Sequence, residues 1–189
     1  MKIGVLALQG AFIEHRNQLS SLGIDSIELR QKEDLKKSFD ALILPGGEST
    51  VQGKLLRDLG MFQPLQAQIQ EGLPVLATCA GLILLAQNLS NDTRSHFATL
   101  PITVKRNAYG KQLGSFFIHD DFKPLGQVPM TFIRAPYIET VSEGVEVHAI
   151  VDGNIVAVEY QNQLALSFHP ELNDDMRLYH YFLEKIKGH

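Results

Sequence analysis

The feature that most restricts the fold is an alternation in the first half of the chain, where short unbroken apolar runs are followed by longer amphipathic stretches. Residues 3–8 form one such run, as suits a strand covered on both faces. Residues 11–22 then carry a helical stripe of Phe12, Leu19 and Leu22, and Gly23 supplies a stop. Residues 26–29 and 41–44 read as the next two strands, the second ended by Pro45, Gly46 and Gly47. Residues 49–59 and 62–71 read as helices closed by Gly60 and Gly72, residues 74–77 as a fourth strand, and residues 81–87 as the helix after it. Strands alternating with helices imply a mostly parallel sheet with helices on both faces, a doubly wound α/β architecture.

The second half is patterned differently. Residues 102–105, 115–118, 131–134, 145–151, 155–160 and 164–168 are strand-like, with few helical stretches between them. Asp152 and Gly153 sit between two apolar runs and signal a hairpin, and Gln161 with Asn162 is a weaker turn signal. Residues 174–187 read as a closing helix. The expectation is therefore an α/β fold with an antiparallel extension. Repeats and low-complexity linkers are missing from the sequence, so residues 1–189 are expected to form a single domain.

Composition excludes several function classes. The net charge is −4 and the pI about 6.0, with no basic balance for nucleic acid or an anionic membrane surface. No stretch approaches the roughly 20 apolar residues of a membrane span. The apolar run at the start covers six residues, short of the about 7–15 of a secretory core. One cysteine permits no internal disulfide, which fits a reducing compartment. A cytoplasmic protein is expected.

The chemistry concentrates at residues 73–82, LPVLATCAGL. A buried strand runs into Cys79, the small residues Ala80 and Gly81 follow, and a helix begins. That is the pattern of a nucleophile elbow, whose sharp turn tolerates only small neighbours. A helix start carries partial positive charge, which favours the reactive thiolate form of a cysteine there. A lone cysteine is more often an inert core residue; the strand, small residue, glycine and helix around this one set it apart.

A thiol nucleophile needs a base, and the base an orienting group. Of the seven histidines, His169 lies just past an apolar strand, where sites gather in a doubly wound sheet. Glu171 follows two residues later, and Pro170 between them predicts an extended path that turns both side chains to one pocket. Acyl transfer also needs oxyanion donors. Residues 45–49, PGGES, follow another apolar strand and open a helix with Ser49 as its cap. The amides of Gly47 and Ala80 are the candidate donors, and Gln9 with Gly10 ends the first strand at the same sheet edge. His119, Asp120 and Asp121 suggest a metal site only superficially; a solvated loop is the expectation there.

Together these segments resemble the class I, or triad, glutamine amidotransferases, and within them the glutaminase subunits of pyridoxal 5′-phosphate synthases. The resemblance is carried by residues 4–10 (GVLALQG), 44–50 (LPGGEST), 78–86 (TCAGLILLA), 106–110 (RNAYG), 132–138 (FIRAPYI) and 167–172 (SFHPEL). It implies Cys79 as nucleophile, with His169 and Glu171 in support. It further implies glutamine binding by Gly47, Glu48, Ser49, Arg106, Ile133 and Arg134. Chemically, Arg106 or Arg134 can pair with the α-carboxylate and Glu48 with the α-ammonium; the sequence leaves the pairing open. Tyr109, Lys111, Leu113, Gly114 and Leu166 depart from the family pattern, away from the catalytic groups.

The resemblance also implies a partner. Ammonia released from glutamine would pass to a (β/α)8-barrel synthase subunit, in a hetero-oligomer that builds pyridoxal 5′-phosphate. Docking of that partner would complete the oxyanion hole, with the Gly46–Gly47 peptide as the switch. No metal or organic cofactor, nucleic acid or membrane is implied. Two other readings remain: the glutaminase of a different amidotransferase or a related cysteine hydrolase acting on a different amide, and a non-catalytic binding or scaffold subunit that kept the fold.

Overall fold

The computed structural model describes residues 1–108 and 114–188. In chain order its first half holds β1 (Lys2–Leu6), α1 (Phe12–Ser21), β2 (Asp25–Leu29), β3 (Ala41–Leu44), α2 (Ser49–Asp58), α3 (Phe62–Gln70), β4 (Val75–Thr78), α4 (Ala80–Leu85) and β5 (Ala86–Leu89). The second half holds β6 (Leu100–Lys105), β7 (Ser115–Phe122), β8 (Gly126–Ile133), β9 (Tyr137–Val141), β10 (Glu146–Val151), β11 (Asn154–Tyr160), β12 (Gln163–Leu166) and α5 (Arg177–Lys187). Short 3₁₀ turns cover Lys32–Lys36 and Pro170–Leu172.

The main sheet runs β2-β1-β3-β4-β12-β11-β9-β6-β5, with β10 paired to β11, and β7 with β8 forms a separate ribbon. Pairing from β2 to β12 is parallel throughout. β11 then pairs antiparallel with β12, β10 and β9. The doubly wound sheet and its antiparallel extension are both present.

The unbroken apolar runs have a direct cause, because each central strand faces two cores. On β3, Leu42 and Leu44 point to a core with Leu56 of α2, Leu65 of α3 and Leu82 of α4. Ala41 and Ile43 point to the other, with Leu19 of α1 and Leu178 and Phe182 of α5. All four strand residues are fully buried. A buried Leu or Ile contributes about 1.5–3 kcal/mol, so a polar residue anywhere on such a strand would cost one core or the other. The hairpin signal at Asp152 and Gly153 holds: both have positive φ, 49° and 79°, as a type I′ turn demands. Gln161, at φ 52°, turns β11 into β12.

Four expectations are corrected. The helix read over 81–87 stops at Leu85, since Ala86 takes ψ 134° and starts β5, which pairs with β6. Pairing outcompetes helix propensity there. β9 was not anticipated: its exposed Glu139 and Thr140 hide the strand pattern. The segment expected as a solvated loop at His119, Asp120 and Asp121 lies within β7, opposite Pro129, Val128 and Gln127. The last helix begins at Arg177 rather than 174, because the Asp175 carboxylate accepts the Arg177 N–H and holds a turn in its place. Of the departures from the family pattern, Tyr109, Lys111 and Leu113 lie outside the described residues. Among the described residues, no helix is long and apolar enough to cross a membrane.

Candidate functional site

β4 delivers Cys79 to the carboxyl edge of the sheet in a strained turn. Cys79 has φ 48° and ψ −100°, a region that costs about 1–3 kcal/mol for a residue with a side chain. Neighbouring contacts fix it there. Its N–H donates to the Leu166 carbonyl at 2.8 Å, continuing the β4–β12 pairing by one residue. Gly81 lets α4 press on β3, for a Cβ at that position would lie 2.1 Å from the Leu44 carbonyl oxygen. Gly81 is thus required by packing. α4 has six residues, so the dipole expected to favour a thiolate is a short one, and the neighbouring imidazole carries that task.

That imidazole is His169, which follows β12. A Cβ placed on Gly46 would meet His169 Cε1 at 2.4 Å and Cys79 Cβ at 3.5 Å, so thiol and ring are neighbours across the Gly46 backbone. His169 Nδ1 and Glu171 Oε1 are 2.6 Å apart, and both residues are buried. The path between them differs from the extended one expected. Pro170 is the first residue of a 3₁₀ turn, and its fixed φ suits that place. The turn brings the carboxylate back beneath the ring. His169 Nε2 is buried and makes no hydrogen bond among the described residues. Burial works against a charged His169, but the neighbouring Cys79 and the Glu171 carboxylate outweigh it and push its pKa up to about 10. Burial likewise opposes a charged Glu171, yet the imidazoles of His15 and His169 hold its carboxyl below the usual range. A ring fixed at one nitrogen by a carboxylate, with the other bare beside a thiol, can exchange a proton with sulfur.

These groups open into a cleft of about 470 Å³ lined by Gly47, Glu48, Ser49, Cys79, Arg106, Ile133, Arg134 and His169, with Gln9 and Gly10. The cleft thus gathers the candidate catalytic and glutamine-binding residues except Ala80, which directly follows the lining Cys79, and Glu171, which meets the lining His169. Gly47 has φ 154°, open to glycine and strained for others. Gly46 O accepts the Ala11 N–H at 3.0 Å, which turns the N–H of that trans peptide, on Gly47, the opposite way. Gly10 permits this, since a Cβ there would lie 1.8 Å from the same oxygen.

Ser49 is not the cap that was expected. Glu48 occupies the N-cap position without a side-chain bond, and Ser49 is the first helical residue. Its buried Oγ has no partner among the described residues, leaving a hydroxyl at the cleft. The two arginines also part company. Arg106 Nη1 is 2.6 Å from Asp92 Oδ2, and the Asn91 side chain pins its backbone N–H and C=O. Arg134 lies exposed at φ 45° with no ion pair among the described residues. The ribbon that carries it is tied to the centre: the Thr131 carbonyl accepts the His169 N–H at 2.9 Å, the Ile133 carbonyl is 3.9 Å from Cys79 Sγ, and the Thr131 hydroxyl donates to Asn173 Oδ1.

Sequence reasoning missed four supporting side chains. Gln52 Nε2 donates to the Gln9 and Pro45 carbonyls and braces both loops. His15, Thr78 and Tyr179 form a buried chain behind Glu171. His15 did leave a signal: it stands three residues after Phe12 and four before Leu19, a polar group on the apolar stripe of α1.

Comparison with known proteins agrees on one family. Residues 5–188 match the model described as the SNO glutamine amidotransferase family. The chain is 62% identical over 188 residues to the pyridoxal 5′-phosphate synthase subunit PdxT of Desulfitobacterium hafniense (strain DSM 10664 / DCB-2), covering 100% of this chain and 94% of that one. It is 54% identical over 190 residues to the subunit of the same name from Streptococcus pneumoniae serotype 2 (strain D39 / NCTC 7466), covering 99% and 98%. Among solved structures, one described as a glutamine amidotransferase superposes with a TM-score of 0.92 at 44% identity, covering 98% of each chain.

Proposed function

This chain belongs to the SNO glutamine amidotransferase family, and from that premise we propose that it hydrolyses L-glutamine to L-glutamate and ammonia and passes the ammonia to a pyridoxal 5′-phosphate synthase subunit. The observation that carries the reading is the Glu171–His169–Cys79 line ending at a cleft floored by a glycine-rich loop. Glutamine enters with its side-chain amide toward Cys79. His169 holds the thiol proton, and the thiolate attacks the amide carbon. The Gly47 and Ala80 amides receive the oxyanion; Ala80 opens α4, where the first N–H groups lack helical partners. His169 gives its proton to the departing nitrogen, so ammonia leaves and a glutamyl thioester remains. Water then loses a proton to His169 and cleaves the thioester, releasing glutamate and restoring the thiol. Glu171 keeps the imidazole in one orientation through both halves.

Recognition follows from the same cleft. Arg134, without an ion pair among the described residues, is the better partner for the α-carboxylate, while Arg106 shares its charge with Asp92. Glu48 meets the α-ammonium, and the Ser49 hydroxyl is free to bond the substrate. We assign the partner as a (β/α)8-barrel synthase in a hetero-oligomer, and the setting as the cytoplasm, where the lone cysteine stays a thiol. The test is glutamate release from the chain mixed with a pyridoxal 5′-phosphate synthase subunit, with and without Cys79→Ala. The native mixture should form glutamate and pyridoxal 5′-phosphate, and the variant should lose at least about 10³-fold of both. Unchanged release by the variant would overturn the reading.

A further inference from the structure

Glu171 has two oxygens and the reaction above uses one. Oε1 meets His169, whereas Oε2 is buried with no hydrogen bond among the described residues. The group nearest to Oε2 among the ion pairs is a second histidine, His15 of α1, whose Nε2 lies 3.5 Å away with both side chains fully buried. The same Nε2 is 3.2 Å from Thr78 Oγ1, on the residue before the nucleophile. On the far side, His15 Nδ1 is 2.7 Å from the Tyr179 hydroxyl.

We propose that His15 is a positioning residue for this reaction: Tyr179 fixes it as the Nε2–H tautomer, and its N–H dipole holds the outer oxygen of Glu171 so that the inner oxygen stays on His169. This rests on the reading of Cys79, His169 and Glu171 given above. The tautomer follows from electrostatics. If Nδ1 carried the proton, a bare Nε2 lone pair would face a carboxylate oxygen inside the protein, a repulsive contact in a low-dielectric site. With the proton on Nε2, the dipole points at Glu171 and Nδ1 accepts the Tyr179 hydroxyl. Burial keeps Tyr179 protonated, raising its pKa well above the usual range, so its hydroxyl is always able to donate. Burial also lowers the His15 pKa; Glu171 and Glu14 pull the other way and His169 pushes with it. His15 therefore remains neutral and does not draw the carboxylate off His169. Residues from four elements meet here: His15 and Glu14 from α1, Thr78 at the end of β4, Tyr179 from α5, and His169 with Glu171 at the 3₁₀ turn.

The test uses His15→Ala, His15→Gln and Tyr179→Phe, each assayed in complex with the synthase subunit for kcat and KM on glutamine. The isolated chain is also alkylated with iodoacetamide across pH, which reports Cys79 alone because the chain has one cysteine. Outer partners of metal-bound imidazoles cost about 10–100-fold when removed, and a similar loss in kcat is expected for His15→Ala, with KM within about threefold. The alkylation profile should shift along the pH axis. His15→Gln, whose amide can donate near the Nε2 position, should recover most of the loss, and Tyr179→Phe should move the profile in the same direction by less. Native kcat and an unshifted profile in a folded His15→Ala would overturn the proposal. So would equal losses in the Ala and Gln variants, which would mark a merely structural role; if His15→Ala does not fold, the Gln and Phe variants decide. Failure of the native complex to release glutamate would remove the hydrolytic reading, while the alkylation profile would still decide the His15 coupling.

Discussion

Two clusters of His, Glu and Tyr stand out among the described residues, one buried and one partly exposed, and their difference separates proposed chemistry from support. In the first, Glu171 lies between His169 and His15, and Tyr179 closes the chain. In the second, Glu159 of β11 accepts from the Tyr181 hydroxyl at 2.8 Å, meets His148 Nε2 at 2.8 Å, and pairs with Lys185 of α5. The residue types match, and the surroundings do not. Glu159 is saturated by a full cation, and its histidine faces Phe122 and Tyr181 rather than a thiol. Among the described residues Glu171 meets two imidazoles and no lysine or arginine, and its histidine keeps one nitrogen without a hydrogen bond. A carboxylate beside a buried histidine is thus a structural clamp or, as we propose, a proton relay according to what completes it: a permanent cation in one case, a thiol at a cleft in the other.

Perturbing the two carboxylates in parallel tests that contrast. The largest effect is expected from Glu171→Gln, which should lower kcat/KM for glutamine by about 10²–10⁴; a loss under tenfold in the partner complex would erase the distinction. Glu159→Gln should leave kcat/KM within about twofold while costing about 1–3 kcal/mol in urea denaturation, the range for a lost charged hydrogen bond. The clusters should also weaken at opposite ends of the pH scale. His169 is raised from 6.5 to about 10, so its contribution is complete below pH 6.5 and disappears as pH climbs through 10. Burial opposes the charge on Glu159, but His148, Lys185 and Tyr181 draw its pKa from 4.5 down to about 2. Its contribution is complete above pH 4.5 and is lost as pH falls through 2. Urea midpoints measured across pH should lose part of their alkaline slope in Glu171→Gln and of their acid slope in Glu159→Gln. The smallest effect should come from Lys185→Met, about 0–1 kcal/mol, because that ammonium is partly in water.

What could be read beforehand depends on how local its cause is. The Cys79 elbow was legible because strand, small residues and helix are contiguous, and the contact that demands Gly81 reports itself as a glycine. His169 and Glu171 were legible because only Pro170 separates them along the chain, although the turn joining them was read as extended. The parallel strands were visible as runs buried on both faces. β5 and β9 were not, because their pairing is set by distant partners rather than by their own pattern. His15 escaped for the same reason. It meets residues 78, 171 and 179, brought together only by the folded sheet. Arg106 and Arg134 looked equivalent until Asp92, across a loop, was seen to hold one of them.

The β7–β8 ribbon has a consequence for anyone wishing to change which amide the enzyme accepts. Transplanting this hairpin from another amidotransferase would be an obvious route to altered selectivity, because Ile133 and Arg134 line the entrance. Yet the Thr131 carbonyl that anchors His169 and the Ile133 carbonyl beside the sulfur belong to the same four residues of backbone. A graft would therefore retune the engine along with the lock. Diversity is better introduced at side chains on that strand, leaving its path intact, or on the outward half of β7, where Asp120 and Asp121 touch neither.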